Sequence, residues 1–237
     1  MTPWLFLHEP ACPPSLAMAR DLALFGAVRQ RSIPGFLRVY NWSEPAVTVG
    51  HSQNSFSFHD SDLALPLLRR PTGGGAVLRV DDITFSISTP LGAAVPAGVL
   101  ECSGLISKVF ACALRQCGLE TALRGGGHEF SPVCFARPSP VELVSGTGKV
   151  MGLALARRAG VVLAQGVIPL RVDRDLTRRV FGPGVLPECR GIVETCPDFA
   201  LETFLAGLQE SLAVHLGVSF QNSTETEHPE DGTRRQT

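Results

Sequence analysis

Residues 69–88 read RRPTGGGAVLRVDDITFSIS. Two arginines and a Pro-Thr pair precede three consecutive glycines, and the runs AVLRV and ITFSIS follow on either side of Asp81-Asp82. Glycine and proline mark turns, and short runs rich in β-branched and aromatic residues are typical of strands. We call residues 71–75 the glycine turn. The segment predicts a turn that leads into two strands joined by a second, tight turn.

Further strands and helices are predicted on both sides of this segment. β-like runs lie at residues 4–8, 36–40, 45–50, 141–145, 149–158 and 161–170. Helices are predicted over 15–30, with Leu16, Ala19, Ala23 and Ala27 on one face, over 100–117, with Ile106, Val109, Phe110, Ala113 and Cys117 on one face, and over 200–216. Hairpin-like strands interleaved with a few helices indicate an α+β fold rather than a doubly wound parallel sheet.

Length and composition indicate one globular domain. The chain has 237 residues, 44% of them apolar, and its 21 Lys+Arg and 22 Asp+Glu give a formal charge of -1. A chain of this length buries roughly 70% of its unfolded surface without the help of a metal or disulfide. Because the net charge is near zero, the bulk electrostatic argument for a nucleic-acid or membrane partner is absent.

The cysteines and the two ends of the chain suggest a cytoplasmic protein. Seven cysteines is an odd number, and their spacings match no common zinc pattern, so we expect reduced thiols and no metal site. The first residues lack the basic flank of a signal peptide, and their apolar run is too short to span a membrane. Residues 221–237 contain no apolar residue, which predicts a disordered polar tail after a domain of residues 1–220.

The glycine turn is the first candidate site. Bare backbone at Gly73, Gly74 and Gly75 can approach a ligand closely, and Arg69 and Arg70 supply forked cationic donors for an anion or carbonyl. An ordinary turn flanked by solvated charges has the same composition. The spacing matches neither a dinucleotide fingerprint nor a Walker loop.

Two other residues could carry chemistry. Lys149 follows the hairpin-like turn Gly146-Thr147-Gly148, although a lysine at the start of a strand is usually a solvated surface residue. Cys134 lies in the irregular segment 132–139, between a predicted helix and strands. A free cysteine is most often an inert core residue, but one in a loop is a better candidate nucleophile than one on a helical core face.

These segments together resemble a known family. RRPTGGGAVL followed by DDITFS, together with NWSEPAVTVGHSQ (41–53), MARDLAL (18–24) and GKVMGLALARRAGVVLAQGVIPL (148–170), is similar to the lipoate-protein ligases and octanoyltransferases. That family shares a catalytic domain with the biotin protein ligases. The resemblance runs from about residue 4 to residue 216. It implies a biotin/lipoate protein ligase-like catalytic domain over residues 1–220, with a mixed, largely antiparallel sheet packed with helices.

The resemblance implies one of two chemistries. Ligases activate a free acid with ATP and Mg²⁺, whereas octanoyltransferases take an octanoyl group from acyl carrier protein as a thioester on a cysteine. Both deliver the group to a lysine of a lipoyl domain or of a glycine-cleavage H-type protein. Cys134-Phe135, followed by Pro138-Ser139 and Glu142-Leu143, resembles the cysteine-bearing loop of the octanoyltransferases, and the Asn-Asp pair of ligases is missing. The expected activity is therefore octanoyl transfer without a cofactor.

The same resemblance assigns roles to residues. Cys134 and Lys149 are the expected catalytic residues, with Lys149 on the acyl carbonyl. The expected substrate-binding residues are Arg69, Arg70, Gly73, Gly74, Gly75, Ala76, Val77, Met151 and Gly152. Val77, Met151 and Leu153 are expected to form an apolar slot for the acyl chain, and no metal ligand is expected.

Some residues depart from the family pattern and keep alternatives open. A histidine of an HD-like element is replaced within Arg79-Val80-Asp81-Asp82, and a His-Gly step reads Gln165-Gly166. Gly75 is the ligase-like choice in the turn. The alternatives are an ATP-dependent lipoate ligase, an acyltransferase acting between two carrier proteins, and an inactive member serving as a binding subunit. The general base is unassigned, since His51, His59 and His128 are interpreted as surface residues.

Overall fold

The computed structural model describes residues 3–92, 94–125, 141–146, 148–183 and 190–222. Within these ranges the strands are β1 (Trp4–Cys12), β2 (Phe36–Trp42), β3 (Ala46–Val49), β4 (Leu67–Arg69), β5 (Val77–Arg79), β6 (Asp82–Pro90), β7 (Ala122–Leu123), β8 (Leu143–Ser145), β9 (Gly148–Arg158), β10 (Val161–Pro169) and β11 (Phe220–Asn222). The helices are α1 (Pro14–Arg29), α2 (Val99–Gln116), α3 (Arg174–Phe181), α4 (Ile192–Thr195) and α5 (Leu201–Leu216). Each of these helices lacks the length or the apolar character needed to cross a membrane.

The strands form one large and one small sheet. The large sheet has the order β11-β1-β2-β6-β10-β9-β8-β7, and the small sheet has the order β4-β3-β5. In the large sheet β1 pairs in parallel with both β2 and β11. All other neighbouring strands of this sheet pair antiparallel. The predicted α+β fold with a mixed, largely antiparallel sheet is confirmed.

The central strand β6 shows that the two faces of the large sheet differ. Ile83, Phe85 and Ile87 belong to the main hydrophobic core, which also includes residues of α2 and α5. The alternate residues of β6 are polar, and Ser86 donates a hydrogen bond to α1. Because strand side chains alternate between faces, the sheet has an apolar face under α2 and α5. Its other face, which lies under α1 and which we call the polar face, combines the polar side chains of β6 with the apolar Phe36 and Leu163.

The face of α1 that packs on the sheet is not the predicted one. Leu16 is 40% exposed, and Ala19 and Ala23 are also exposed. The buried residues of α1 are Pro14, Ala17, Met18, Asp21, Phe25 and Val28. The prediction was wrong because it counted only apolar residues, whereas a carboxylate lies at the middle of the buried face.

Both strands predicted after the glycine turn exist, but they do not form a hairpin. β5 pairs with β3 in the small sheet, whereas β6 pairs with β2 and β10 in the large sheet. β6 and β10 stay in register over the whole length of both strands, which gives β6 far more ladder hydrogen bonds than the three-residue β5 could supply. The chain therefore crosses from one sheet to the other at residues 80–81. β11 ends at Asn222, so the predicted tail lies almost entirely outside the described residues.

Candidate active site

Both arginines beside the glycine turn hold loop backbone in place. Arg70 is 3% exposed, and its guanidinium donates to the carbonyl oxygens of Gly73 (2.8 Å) and Gly75 (2.7 Å). Arg69 Nη1 donates to three carbonyl oxygens in residues 50–53, at 2.7 to 3.1 Å. These contacts fix the shape of the turn and join it to the neighbouring loop.

Glycine is required on both sides of this junction. Gly74 has a φ of 91°, a conformation that side chains with a Cβ adopt only at a cost. A Cβ on Gly50 would lie 1.9 Å from the Gly74 carbonyl oxygen. The glycine turn and the loop after β3 therefore meet backbone to backbone.

Ala76, Val77 and Gly152 lie near one another on the polar side of the large sheet. Val77 packs against Val167 of β10. Val167 is directly opposite Gly152 on β9, so both residues share a face. A cavity of about 60 Å³ lies among Ala76, Val77 and Val167.

Met151 and Leu153 lie elsewhere. As neighbours of Gly152 along β9 they point to the opposite face, where Met151 is buried in the main core and Leu153 packs against that core. The structure therefore brings Val77 and Gly152 together but does not place Val77, Met151 and Leu153 in one slot.

A second, larger cavity of about 290 Å³ lies where α1, the glycine turn and β9 meet. Arg69 and Arg70 line it, together with Arg29 and Arg158. Its polar lining is basic, which suits an anion.

Lys149 is a buried residue rather than a solvated one. It is 1% exposed, and its Nζ forms an ion pair with Glu142 Oε1, whose residue is 4% exposed. The other carboxylate oxygen, Oε2, has no hydrogen-bond partner among the described residues. Lysine is almost never fully buried without a partner, and a buried ion pair at a position singled out in the sequence makes Lys149 a candidate functional residue.

Glu142 is a functional candidate that the sequence reasoning did not assign. It lies directly before β8, and β8 pairs with the beginning of β9, which carries Lys149. The available signal was an acidic residue seven positions before a candidate catalytic lysine, on the adjoining strand of a predicted hairpin.

Cys134 and His128 lie outside the described residues. Three of the five described cysteines are poor alternatives to Cys134 as a nucleophile. Burial raises the pKa of Cys12 to about 11 and also raises the pKa values of Cys102 and Cys117. A thiol with a raised pKa is protonated at neutral pH and reacts slowly.

Comparisons with known proteins agree with this fold. The chain is 34% identical to octanoyltransferase LipM of Exiguobacterium sibiricum over 184 residues, which cover 72% of this chain and 67% of the relative. It is 33% identical to octanoyltransferase LipM of Anoxybacillus flavithermus over 192 residues, which cover 75% of this chain and 69% of the relative. The prediction of an acyltransferase is confirmed by these relatives.

Solved structures share the fold. Lipoate-protein ligase A with bound ATP superposes with a TM-score of 0.76 at 22% identity, covering 95% of this chain and 90% of that one. A lipoate protein ligase of T. acidophilum with bound lipoic acid superposes with a TM-score of 0.77 at 22% identity. This match covers 96% of this chain and 90% of the other. The family model of the lipoyl protein ligase A/B catalytic domain matches residues 13–194. The chain therefore belongs to the lipoyl protein ligase A/B catalytic domain family, as its motifs predicted.

Proposed function

We propose that this protein transfers an octanoyl group from acyl carrier protein to a lysine of a lipoyl carrier domain, through a thioester on Cys134. The observation that carries the proposal is the buried Lys149–Glu142 pair at the beginning of β9. Relatives named octanoyltransferase, at 32–34% identity over about three quarters of this chain, support the acyl group and the reaction class.

The two steps need no nucleotide. In the first, the Cys134 thiolate attacks the thioester carbonyl of the donor, the donor C–S bond breaks, and the carrier leaves as a thiolate that takes a proton from water. In the second, the neutral amine of the acceptor lysine attacks the Cys134 thioester, its C–S bond breaks, the cysteine leaves as a thiolate, and the nitrogen loses a proton to water as the amide forms. Exchange of one thioester for another is nearly isoenergetic, and a thiolate is the natural acceptor.

Lys149 supplies charge to both steps. Each attack turns the carbonyl oxygen into an oxyanion, which an ammonium within hydrogen-bond distance stabilises more strongly in the transition state than in the ground state. Glu142 provides the counter-charge to Lys149 in a site excluded from water. Removing a donor of this kind costs roughly 10²- to 10³-fold in rate.

The family supports the proposed class of acceptor. One solved relative is part of a lipoylation system described with its E2 lipoyl domain. We propose a lipoyl domain or a glycine-cleavage H-type protein as acceptor, acyl carrier protein as donor, and no bound cofactor.

One assay separates the candidate functions. In the first reaction, purified protein and an apo lipoyl domain are incubated with octanoyl-acyl carrier protein without nucleotide. In the second, they are incubated with octanoate or lipoate, ATP and Mg²⁺. The mass of the lipoyl domain is then measured by mass spectrometry. We expect octanoylated domain only in the first reaction. Product only in the second would establish a ligase, and no product in either would favour a binding subunit.

A further inference from the structure

A line of buried hydrogen bonds connects α1 to the glycine turn. Gln165 of β10 donates through Nε2 to Asp21 Oδ2 (2.5 Å), and Thr72 Oγ1 donates to Gln165 Oε1 (2.8 Å). Asp21 and Thr72 are fully buried, and Gln165 is 4% exposed. We call these three residues the relay.

Asp21 fixes the orientation of the Gln165 amide. Its Oδ1 accepts from Arg38 Nη1 (2.6 Å) and Ser86 Oγ (2.6 Å), and its Oδ2 lies 3.4 Å from the Tyr40 hydroxyl. An ionised carboxylate only accepts hydrogen bonds, so the Gln165 amide must present its NH₂ group to Asp21. Its carbonyl oxygen is thereby turned toward Thr72, because a flipped amide would place two oxygens in contact.

At the other end, Thr72 ties the glycine turn to the large sheet. Arg70 and Gly50 hold the turn in shape and against the loop after β3, contacts that would survive if the turn and loop moved together. The Thr72 hydroxyl, in contrast, reaches β10, the partner of the strand that carries Lys149.

We propose that Asp21, Gln165 and Thr72 are positioning residues, which set the glycine turn over β9 and β10 for acyl transfer. They act through the backbone of the turn and through no contact with the reacting atoms. The kinetic part of this inference rests on the proposed function.

Removing either link should misplace the turn. Gln165→Leu and Thr72→Val keep size but lose the hydrogen bonds, and we expect kcat/KM for octanoyl transfer to fall by roughly 10²-fold, as for a 1 Å misplacement. Thr72→Ser keeps the hydroxyl and should retain most of the rate. Gln165→His should also retain it, because a neutral imidazole donates from one nitrogen and accepts at the other.

Gln165→Glu gives the relay a dependence on pH that a purely steric role would not produce. The charged or titratable groups around this position include Asp21 of α1, which contacts Gln165, and Arg38 and Tyr40 of β2, which contact Asp21. Arg38 also contacts Glu9 and Cys12 of β1. The neighbouring Ser86 of β6 and Ala154 of β9 do not titrate. Two adjacent carboxyl groups share one proton, and the protonated form donates to Asp21 as the amide does. The ratio of this variant's transfer rate to the wild-type rate should therefore be highest at low pH and fall as the shared proton is lost.

Gln116 supplies matched controls, since it is exposed on α2 and its amide also donates to a carboxylate, that of Glu210 (2.9 Å). Gln116→Leu and Gln116→Glu should follow the wild type in rate and pH profile. A Gln165→Glu profile parallel to the wild type, or Gln165→Leu and Thr72→Val rates within twofold of it, would overturn the inference.

Hydrogen exchange tests the relay independently of activity. The amides of residues 73–77 should exchange faster in Gln165→Leu than in the wild type or Gln116→Leu, and equal exchange would overturn the inference. A wild type that transfers no octanoyl group would refute the proposed function alone, and this exchange measurement would still decide on the relay.

Discussion

Replacing Glu142 by Gln tests the buried ion pair at the proposed site. The change keeps the size of the side chain and removes the counter-charge of Lys149. The Lys149 and Glu142 side chains are 1% and 5% exposed, so water cannot take over the lost interaction. Breaking a buried pair by removing one partner costs about 3–5 kcal/mol. For a chain of this size, that corresponds to a fall in Tm of roughly 6–20 °C.

A double variant separates stability from catalysis. Glu142→Gln with Lys149→Met replaces the pair by uncharged groups, which is often neutral for stability, so most of the lost Tm should return. Octanoyl transfer should stay at least roughly 10²-fold below the wild type, because the ammonium is gone.

The assays are a thermal melt and mass-spectrometric octanoyl transfer to a lipoyl domain. Asp175→Asn is the control, since it breaks the exposed pair with Arg178 and should cost less than about 1 kcal/mol. Wild-type transfer by the double variant would refute a role for Lys149 in the reaction. A Tm of Glu142→Gln equal to that of Asp175→Asn would refute a stabilising ion pair between Glu142 and Lys149.

Three further predictions concern the glycine turn, acid stability and thiol reactivity. Gly74→Val should abolish transfer while the protein stays folded, because the φ of 91° at Gly74 disfavours a β-branched residue. Circular dichroism checks the fold and the transfer assay checks the activity. Gly104→Ala on α2 is the control, and equal transfer by the two variants would contradict the prediction. Burial alone would raise the pKa of Glu9, but the hydrogen bonds and charges of Arg38 and Arg20 hold it below its usual value, so Glu9 stabilises the fold above about pH 4.5 and this contribution is lost as the pH falls through the lowered pKa. Melts between pH 3 and 7, taken as rough limits of that window, should show a shallower acid loss for Glu9→Gln, and parallel curves would argue against it. Because the pKa of Cys12 is about 11, iodoacetamide should label it slowly near neutral pH and faster as the pH approaches that value, and rapid labelling at pH 7 would contradict its burial.

The positions of most helices and strands could be predicted from local sequence patterns. The helices α1, α2 and α5 and the strands β2, β3 and β8 to β10 lie within a few residues of their predicted positions. α3 was missed because its sequence, RDLTRRVF, is mostly polar, although Asp173 caps its beginning by accepting from the Leu176 amide.

The errors at the polar face have a common physical cause. Asp21 is buried because Arg38, Ser86 and Gln165 satisfy it, and these partners come from three different strands. No pattern local to α1 reveals such partners, so apolar periodicity selected the wrong face of the helix. The pairing of β5 and β6 with different sheets is likewise decided by distant strands.

The candidate site, too, could be predicted from sequence only in part. The glycine turn and Lys149 stand out in sequence because their residue types are unusual in their positions, and the family resemblance links them. Two contacts could not be predicted from sequence because they depend on the folded arrangement: Arg70 holds the glycine turn, and Glu142 pairs with Lys149.

The central claim, octanoyl transfer through Cys134, is tested most directly by trapping the acyl-enzyme. Wild-type protein is incubated with octanoyl-acyl carrier protein without nucleotide or acceptor, digested, and mapped by mass spectrometry with and without hydroxylamine. We predict a hydroxylamine-labile octanoyl adduct on Cys134 and on none of the other six cysteines, which disappears when a lipoyl domain is added. Absence of the adduct, together with full transfer by Cys134→Ser, would contradict the claim.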